Sequence, residues 1–171
     1  MSLASPEASR RIRAALDEGG GGGVLEVLAS RLGVSLAQIL DELEPPAVAR
    51  IAGDRFAEIW EKLTAWGCVL FIVHTQDIVL ECSGSLPPGT EAQGYFNIHG
   101  SSPIAGHIKA SNCKAIYLVD RLFHGRRSCS VQFLNGDGAA MFKVFVRRDE
   151  ARELVAEQLA LFEALKRELG K

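Results

Sequence analysis

From residue 68 to residue 147 the chain alternates between short strand-like segments and turn residues, and this pattern constrains the fold more than any other feature. Turn-forming stretches lie at 86–89 (Leu-Pro-Pro-Gly) and 135–138 (Asn-Gly-Asp-Gly), and Asn-Gly and Asp-Gly steps tolerate the positive φ of tight hairpins. About seven strands joined by short links predict one large antiparallel sheet. The segments are residues 68–75, 78–82, 94–99, 104–110, 114–122, 128–134 and 139–147.

Helical patterns lie on both sides of this sheet region. Residues 24–43 predict two helices separated by a turn at Gly33, residues 53–66 predict another, and residues 149–169 predict an amphipathic C-terminal helix. We therefore expect an α+β fold with N-terminal helices, one large antiparallel sheet and a C-terminal helix. At 171 residues the chain is long enough for one domain with a substantial core.

The N-terminal segment is expected to stand apart from this domain. Residues 5–17 predict a short helix capped by Ser5, with Pro6 at its first position. An uninterrupted run of glycines follows at 19–23 and predicts a flexible link. The predicted organisation is a mobile segment at 1–23 and a single domain at 24–171, which is helical over 24–66, sheet over 67–148 and helical over 149–169.

The composition argues against several functional classes. The chain is 47% hydrophobic and 23% charged, with a net charge of −2, which is typical of globular proteins without an electrostatic attraction to nucleic acid or acidic membranes. No apolar run approaches the roughly 18 residues of a membrane span, and the N-terminus lacks the apolar core of a secretory signal. A cytoplasmic location is therefore expected. The cysteines show no Cys-x-x-Cys spacing and are expected to be reduced core residues; they are Cys68, Cys82, Cys113 and Cys129.

Residues 25–40 (LEVLASRLGVSLAQIL) resemble a helix-turn-helix, which raises the alternative of a DNA-binding regulator. The second helix would have to enter a major groove and present side chains to the bases. It carries Gln38 and three acidic residues, Asp41, Glu42 and Glu44. Because carboxylates repel phosphates, we interpret this pair of helices as a packing element.

Signature motifs of common enzymes are missing from the sequence. There is no Gly-x-Gly-x-x-Gly, no Walker-type lysine loop, no His-Glu-x-x-His and no Gly-x-Ser-x-Gly. The pattern places no pair of acidic residues against a histidine on a shared face. The sequence therefore predicts a binding protein more readily than an enzyme.

His74 follows an apolar segment, residues 69–73, in which every position is hydrophobic. Such a run predicts a strand that is buried on both faces. A histidine there is either hydrogen-bonded within the core or directed into a cavity, where a neutral imidazole is a good metal ligand. The residues of this segment leave both interpretations open.

His107 belongs to a second candidate strand, residues 104–110. The period of a strand places His107 and Lys109 on one face and the isoleucines on the other. An imidazole and an ammonium on the same face match the iron and a propionate of a haem lying across the strands. Gly106 leaves room for a flat ring to approach the backbone. Haem is therefore the ligand that this pattern favours.

Further candidate contacts come from neighbouring strands. Tyr95 and Phe96 alternate between faces, so one of them should flank His107 while the other faces the core. Lys143 stands among apolar residues of its strand, and with Arg121 it is a candidate partner of the haem propionates.

Several blocks of the sequence resemble the intracellular haem-utilisation carrier family of the HutX/ChuX type. They are IVHT (72–75), GYFN (94–97), GHIKASNC (106–113), RLFHG (121–125), QFLN (132–135) and MFK (141–143). The resemblance covers about residues 24–165. Arg147 departs from the family pattern, which leads us to expect glycine there.

The resemblance implies a strongly curved antiparallel sheet flanked by helices, similar to one half of the larger haem-degrading and haem-trafficking proteins. It implies a cytosolic homodimer that binds imported haem non-covalently and passes it to a haem-degrading partner during iron acquisition. The family's haem-associated histidines fall at His74 and His107, the expected iron ligands. A haem-degrading enzyme is the principal alternative. The expected haem contacts are His74, His107, Lys109, Tyr95, Phe96, Lys143 and Arg121.

Overall fold

The computed structural model describes residues 2–170, so residues 1 and 171, at the outer ends of the predicted segments, lie outside it. Along the described chain the helices are α1 (Pro6–Asp17), α2 (Leu25–Leu32), α3 (Leu36–Asp41), α4 (Phe56–Thr64) and α5 (Ala156–Leu169). The strands are β1 (Val48–Ala52), β2 (Cys68–His74), β3 (Val79–Ser85), β4 (Gly89–Ala92), β5 (Tyr95–Ile98), β6 (Gly106–Ile108), β7 (Ala115–Phe123), β8 (Arg126–Leu134) and β9 (Ala140–Phe145).

The strands of residues 2–170 form two antiparallel sheets. The large sheet has six strands in the order β1-β7-β8-β9-β2-β3, and the small sheet joins β4, β5 and β6. The predicted α+β fold with a large antiparallel sheet and a C-terminal helix is confirmed. However, the segments predicted at 94–99 and 104–110 pair in the small sheet instead of the large one, because alternation identifies a strand without identifying its partner.

The sequence does not predict two of the strands. β1 lies inside the region predicted to be helical and pairs with β7 at the edge of the large sheet. β4 follows the proline-rich turn and pairs with β5. These strands have 5 and 4 residues, and such short segments carry too few positions for alternation to distinguish them from loops.

Local capping sets the boundaries of the N-terminal helices. The Ser5 side chain accepts a hydrogen bond from the backbone N–H of Ala8 at the start of α1, and Ser35 and Gln38 form a capping box at the start of α3. Gly33 ends α2 in the left-handed conformation, with φ of 66°. The predicted start of α1 and the predicted turn between α2 and α3 are confirmed.

The glycine run, for which the sequence predicts a flexible link, forms a short 3-10 turn at Gly20–Gly22. On its N-terminal side, α1 buries Ile12 completely and leaves Ala15 only 8% exposed. Both side chains belong to a core cluster shared with α2, α3 and β7. The described part of the N-terminal segment therefore packs against the domain that follows it.

The large sheet carries a hydrophobic core on each face. On one face α4 and α5 pack against the central strands around an aromatic cluster, which consists of Phe56, Trp60, Phe96, Phe133 and Phe142. On the other face α1–α3 cover the sheet around β7, where Ala115, Tyr117 and Val119 are buried. These helices leave the part of that face over β8, β9, β2 and β3 uncovered.

The helix-turn-helix-like pair α2–α3 takes part in this second core. The hydroxyl of Tyr117 donates a 2.6 Å hydrogen bond to the carboxylate of Asp41, and burial together with this carboxylate raises the pKa of Tyr117. The backbone N–H of Ala37 donates to the carbonyl of Gly138. These contacts hold α3 against the sheet, and its buried face consists of Leu36, Ala37, Ile39 and Leu40.

The C-terminal helix begins later than predicted. The chain from Asp149 to Val155 forms turns and a short bridge between Arg148 and Leu154, and α5 follows. Phe162 of α5 is fully buried. Neither α5 nor any other helix within residues 2–170 is long and apolar enough to cross a lipid bilayer.

Replacing Gly53 by alanine is expected to lower the free energy of unfolding by about 3 kcal/mol. A Cβ atom at Gly53 would lie 2.5 Å from the carbonyl oxygen of Cys113 and 2.6 Å from the carbonyl carbon of Lys114. These are backbone atoms, which cannot move aside as a flexible side chain can. Urea denaturation followed by circular dichroism measures the loss. Gly22→Ala is the control because a Cβ there meets nothing within 4 Å, and equal losses in both variants would contradict the prediction.

Candidate functional site

A cavity of about 510 Å³ lies on the uncovered part of the large sheet, beside the start of α2. Three of the predicted site residues, His74, Arg121 and Lys143, line it. The structure therefore brings together one imidazole and two cations that are far apart in the sequence. Positive side chains outnumber carboxylates around this cavity, with Arg121, Lys143, Arg147 and Arg148 against Glu26 and Glu81.

The alternation of β2 explains how His74 reaches the cavity. Phe71 and Val73 pack into the hydrophobic core, whereas Leu70, Ile72 and His74 line the cavity. The expectation that this strand is buried on both faces is therefore wrong. Leu70 and Ile72 form the wall of an open cavity. Because these side chains are apolar, the sequence of β2 looks like that of a strand buried on both faces.

Lys143 is a nearly buried cation at the floor of the cavity. It lies opposite Gln132 of β8 and Ile72 of β2 and is 7% exposed. Its ammonium forms an ion pair with the Glu26 carboxylate. Burial lowers the pKa of Lys143, and Glu26 opposes that shift by stabilising the charged form. The carboxylate therefore compensates the charge that the sheet buries.

Glu26 also lies beside His74, with its Oε1 atom 3.5 Å from His74 Nδ1. The two side chains are 20% and 19% exposed, so both remain accessible from the cavity. Sequence reasoning missed Glu26 because an acidic residue in the first turn of a helix is ordinary. Only the folded structure, in which the first turn of α2 lies beside the cavity, shows which cation and which imidazole Glu26 meets.

Arg121 occupies the side of the cavity next to the glycine run. Its Nη2 donates to the carbonyl oxygen of Gly23 at 2.7 Å, and its Nη1 donates to the carbonyl oxygens of Gly21 and Leu122. Burial lowers the pKa of Arg121. Among the described residues no carboxylate forms an ion pair with this guanidinium, so its charge is available to an anionic group of a ligand.

The floor of the cavity includes an acceptor without a partner. Gln132 is 4% exposed, and its Nε2 donates to Ser130 Oγ at 3.0 Å. Its Oε1 atom has no hydrogen-bond partner among the described residues. Because buried polar atoms are normally satisfied, a water molecule or a ligand donor would complete the hydrogen bonding of this atom.

His107, Tyr95 and Lys109 meet on the small sheet. The Tyr95 and His107 rings have centroids 6.3 Å apart, and Lys109 Nζ lies 6.0 Å from the Tyr95 ring centroid. All of these side chains are exposed. The predicted placement of His107 and Lys109 on one accessible face is found in the structure, and Tyr95 is the aromatic residue that flanks them.

Phe96 occupies the opposite side of β5. It is 3% exposed and packs with its ring centroid 5.2 Å from that of Phe56 and 5.4 Å from that of Trp60. The expectation that Phe96 contacts a ligand is corrected by this placement, because the alternation that exposes Tyr95 directs Phe96 into the core.

The two groups of candidate residues occupy different surfaces. The cavity that His74 lines contains neither His107 nor Tyr95 nor Lys109. Within residues 2–170 no three His, Cys, Asp or Glu side chains cluster in a way that could hold a bare metal ion. Each histidine offers a single donor atom, which suits a metal whose other coordination positions are already filled.

Known proteins resemble this chain along most of its length. Residues 49–165 match the family described as haem utilisation ChuX/HutX. The intracellular haem transport protein HutX of Vibrio cholerae is 34% identical over 142 residues, which is 82% of this chain and 74% of HutX.

Solved structures agree with this match. A protein from Agrobacterium tumefaciens is 52% identical with a TM-score of 0.88, and the match covers 95% of this chain and 92% of that one. The haem-binding protein ChuX is 37% identical with a TM-score of 0.81, over 92% of this chain and 96% of ChuX. The haem-bound form of PhuS from Pseudomonas aeruginosa, at 16% identity and a TM-score of 0.73, shares the fold over 96% of this chain but 49% of its own length. The predicted likeness to one half of a larger protein is confirmed.

Proposed function

Because this chain belongs to the ChuX/HutX haem-utilisation family, we propose that it is a haem carrier. In this proposal it binds imported haem non-covalently in the cytoplasm and passes it to a haem-degrading partner during iron acquisition. The observation that carries the proposal is the open cavity on the large sheet, where His74, Arg121 and Lys143 meet beside an apolar wall.

The residues around this cavity fit haem as a cargo. The macrocycle needs apolar contacts, the iron needs a Lewis base, and the propionates need cations. Leu70, Ile72 and Phe145 supply the apolar wall, His74 supplies an imidazole, and Arg121 supplies a guanidinium. The cavity is open on one side, which suits a protein that must release what it binds.

Arg121 is a better candidate than Lys143 for the first propionate contact. Its guanidinium bonds only backbone carbonyls, whereas Lys143 already pairs with Glu26. A propionate that approached Lys143 would have to compete with that carboxylate. We therefore assign the first propionate contact to Arg121 and a secondary one to Lys143.

We propose that His107, Tyr95 and Lys109 form a second haem-contacting surface, which Phe96 supports from the core. His107 does not line the cavity of His74, so one haem can meet both histidines if the small sheet of one copy faces the cavity of another. This arrangement requires a homodimer. Sedimentation of the haem-loaded protein tests it: a dimer that carries two haems, one in each of its two symmetry-related sites, supports the arrangement, and a haem-saturated monomer contradicts it.

A ferric haem titration followed at the Soret band tests the proposal directly. The wild type is expected to give a shifted, saturable band. His74→Ala should weaken haem binding by more than about tenfold. That is the cost of losing a side chain that only supports a metal ligand, whereas this variant removes the proposed ligand itself. The same titration with His107→Ala and with the double variant separates the two histidines. His99→Ala is the control, since His99 is an exposed residue whose Nε2 lies 3.0 Å from Thr90 Oγ1. An unshifted wild-type band would contradict the carrier, and identical titrations of all variants would contradict ligation by His74 and His107.

Handover and degradation are tested with the loaded protein. A carrier should keep its Soret band when a reductant and catalase are added, and time-dependent loss of the band to a defined tetrapyrrole would favour the enzyme alternative instead. Transfer to a haem-degrading enzyme should be faster than transfer to apomyoglobin, which only captures dissociated haem. Equal rates would contradict a direct handover.

A further inference from the structure

We propose that Asn97 is a positioning residue for His107: it holds the imidazole proton on Nδ1 and leaves the Nε2 lone pair facing outward for a metal. Asn97 of β5 lies directly opposite His107 of β6, and its Oδ1 atom is 2.7 Å from His107 Nδ1. The inference rests on the proposed function in that the metal is the iron of the haem cargo.

The orientation of the Asn97 amide is determined by its surroundings. Its Nδ2 group donates to the carbonyl oxygens of Tyr95 at 3.1 Å and of Thr90 and Ala92 at 3.2 Å each. Rotating the amide by half a turn would place Oδ1 against three carbonyl oxygens, none of which can donate a hydrogen bond. Only the orientation with Oδ1 towards His107 satisfies the amide.

This orientation selects one form of the neutral imidazole. The Oδ1 atom of an amide accepts hydrogen bonds and cannot donate them, so the ring nitrogen 2.7 Å away must carry a hydrogen. Because a neutral imidazole carries one hydrogen, Nε2 keeps its lone pair. Nε2 makes no hydrogen bond to any described residue, and the His107 side chain is exposed. The arrangement resembles the general rule that a metal-binding histidine donates its other nitrogen to a protein acceptor.

His99, in the same region of the sheet, has a partner that does not determine which ring nitrogen carries the hydrogen. Its Nε2 lies 3.0 Å from the hydroxyl of Thr90. A hydroxyl can donate or accept, so this contact fixes neither form of the ring. His99 is therefore an internal reference for His107, at a similar depth and in the same molecule.

The first test uses the haem-free protein and does not depend on haem binding. Nitrogen-15 correlation spectra at pH 8 report which ring nitrogen of each histidine is protonated. We expect His107 to carry its proton on Nδ1 in the wild type. Asn97→Ala should shift it towards Nε2, while Asn97→Asp should keep it on Nδ1. Both variants lose the bonds to the backbone carbonyls, but only Asp retains an acceptor at the imidazole. The signals of His74, which lies on the other surface, should not respond.

The outcomes for the haem-free protein are decisive. A wild-type His107 protonated on Nε2 would overturn the inference, whether or not the protein carries haem. The same holds if Asn97→Ala and Asn97→Asp give identical His107 spectra, because the acceptor would then have no influence on the ring.

The second test uses haem in a His74→Ala background, where His107 is the remaining proposed ligand. Asn97→Ala should weaken ferric haem binding by about 10- to 100-fold and lower the frequency of the iron–histidine vibration in the ferrous complex, whereas Asn97→Asp should preserve that vibration. Unchanged binding and vibration in Asn97→Ala would overturn the positioning role while leaving the carrier intact. If the wild type itself gives no shifted Soret band, the proposed function fails, and the role of Asn97 towards iron fails with it.

Discussion

Glu26→Met is expected to lower the free energy of unfolding by about 3 kcal/mol, because it leaves the Lys143 ammonium buried without its counter-charge. Lys143 is 7% exposed, and Glu26 is the carboxylate paired with it. We expect the lower end of the range for broken buried pairs, since the Glu26 side chain is itself 20% exposed. Urea denaturation at pH 7, followed by circular dichroism, measures the loss.

A double-mutant cycle separates the ion pair from the packing of its members. Lys143→Met should cost less than Glu26→Met, because the carboxylate that remains can turn towards solvent. The combined Glu26→Met and Lys143→Met variant should recover most of the loss, since replacing both charges of a buried pair by apolar groups is often neutral or stabilising. Glu58→Met, which breaks an exposed pair with Arg55, is the control and should change stability far less. A Glu26→Met loss no larger than that of Glu58→Met would contradict a buried charge pair at the cavity floor.

The glycine run and the first turn of α2 both contact the candidate site. Glu26 contacts Lys143 and lies beside His74, while the carbonyls of Gly21 and Gly23 accept hydrogen bonds from Arg121. Residues 21–26 therefore contact the imidazole and both candidate propionate cations of the cavity. A ligand that binds Arg121 or Lys143 must either bind beside the contacts of that cation with residues 21–26 or replace those contacts.

The individual strands of the site were predictable, but their partners were not. Alternation placed His107 and Lys109 on one face, and it required Tyr95 and Phe96 to face opposite sides. It could not decide which of those two aromatics would be exposed, because that depends on the core that α4 builds beneath β5. Likewise, the pattern gave no reason to separate β5 and β6 from the large sheet.

The residues that support the histidines needed the structure. Glu26 reaches His74 only because the start of α2 lies at the edge of the cavity, and no local pattern encodes that contact. Asn97 lies two residues after Tyr95 in β5, so alternation places both on one side of the strand, but the pairing of Asn97 with His107 follows from the register between β5 and β6. Local periodicity thus placed His107 on an accessible face, the family resemblance pointed to both histidines, and long-range packing brings Glu26 to His74 and Asn97 to His107.

Trp60→Ala is expected to lower the free energy of unfolding by about 4 kcal/mol, as is typical for removing a large aromatic side chain from a core. Trp60 is fully buried, and its ring centroid lies 5.4 Å from that of Phe96 and 5.9 Å from that of Phe142. Its indole N–H donates a 2.8 Å hydrogen bond to the carbonyl oxygen of Pro87. Guanidinium denaturation followed by circular dichroism measures the loss.

The contacts of Trp60 give this prediction a second, local consequence. Phe96 belongs to β5, and Pro87 lies between β3 and β4, so Trp60 anchors the small sheet to α4. Trp60→Ala should therefore increase hydrogen exchange at the backbone amides of β5 and β6 more than at those of β8. Trp60→Phe should cost less than Trp60→Ala, because it keeps a ring while leaving the Pro87 carbonyl without its donor, a penalty of about 1–3 kcal/mol.

Trp66→Ala provides the matched control for that local effect. Trp66 is also buried, at 4% exposure, but its ring packs against Phe162 of α5 with centroids 6.4 Å apart, away from the small sheet. Trp66→Ala should lower the free energy of unfolding, but it should not increase hydrogen exchange at β5 and β6 more than elsewhere. The partners of Trp66 support the large sheet and the C-terminal helix. If both tryptophan variants expose the small-sheet amides equally, Trp60 is not the anchor of the surface that carries His107. A Trp60→Ala loss below about 2 kcal/mol would contradict the packing argument itself.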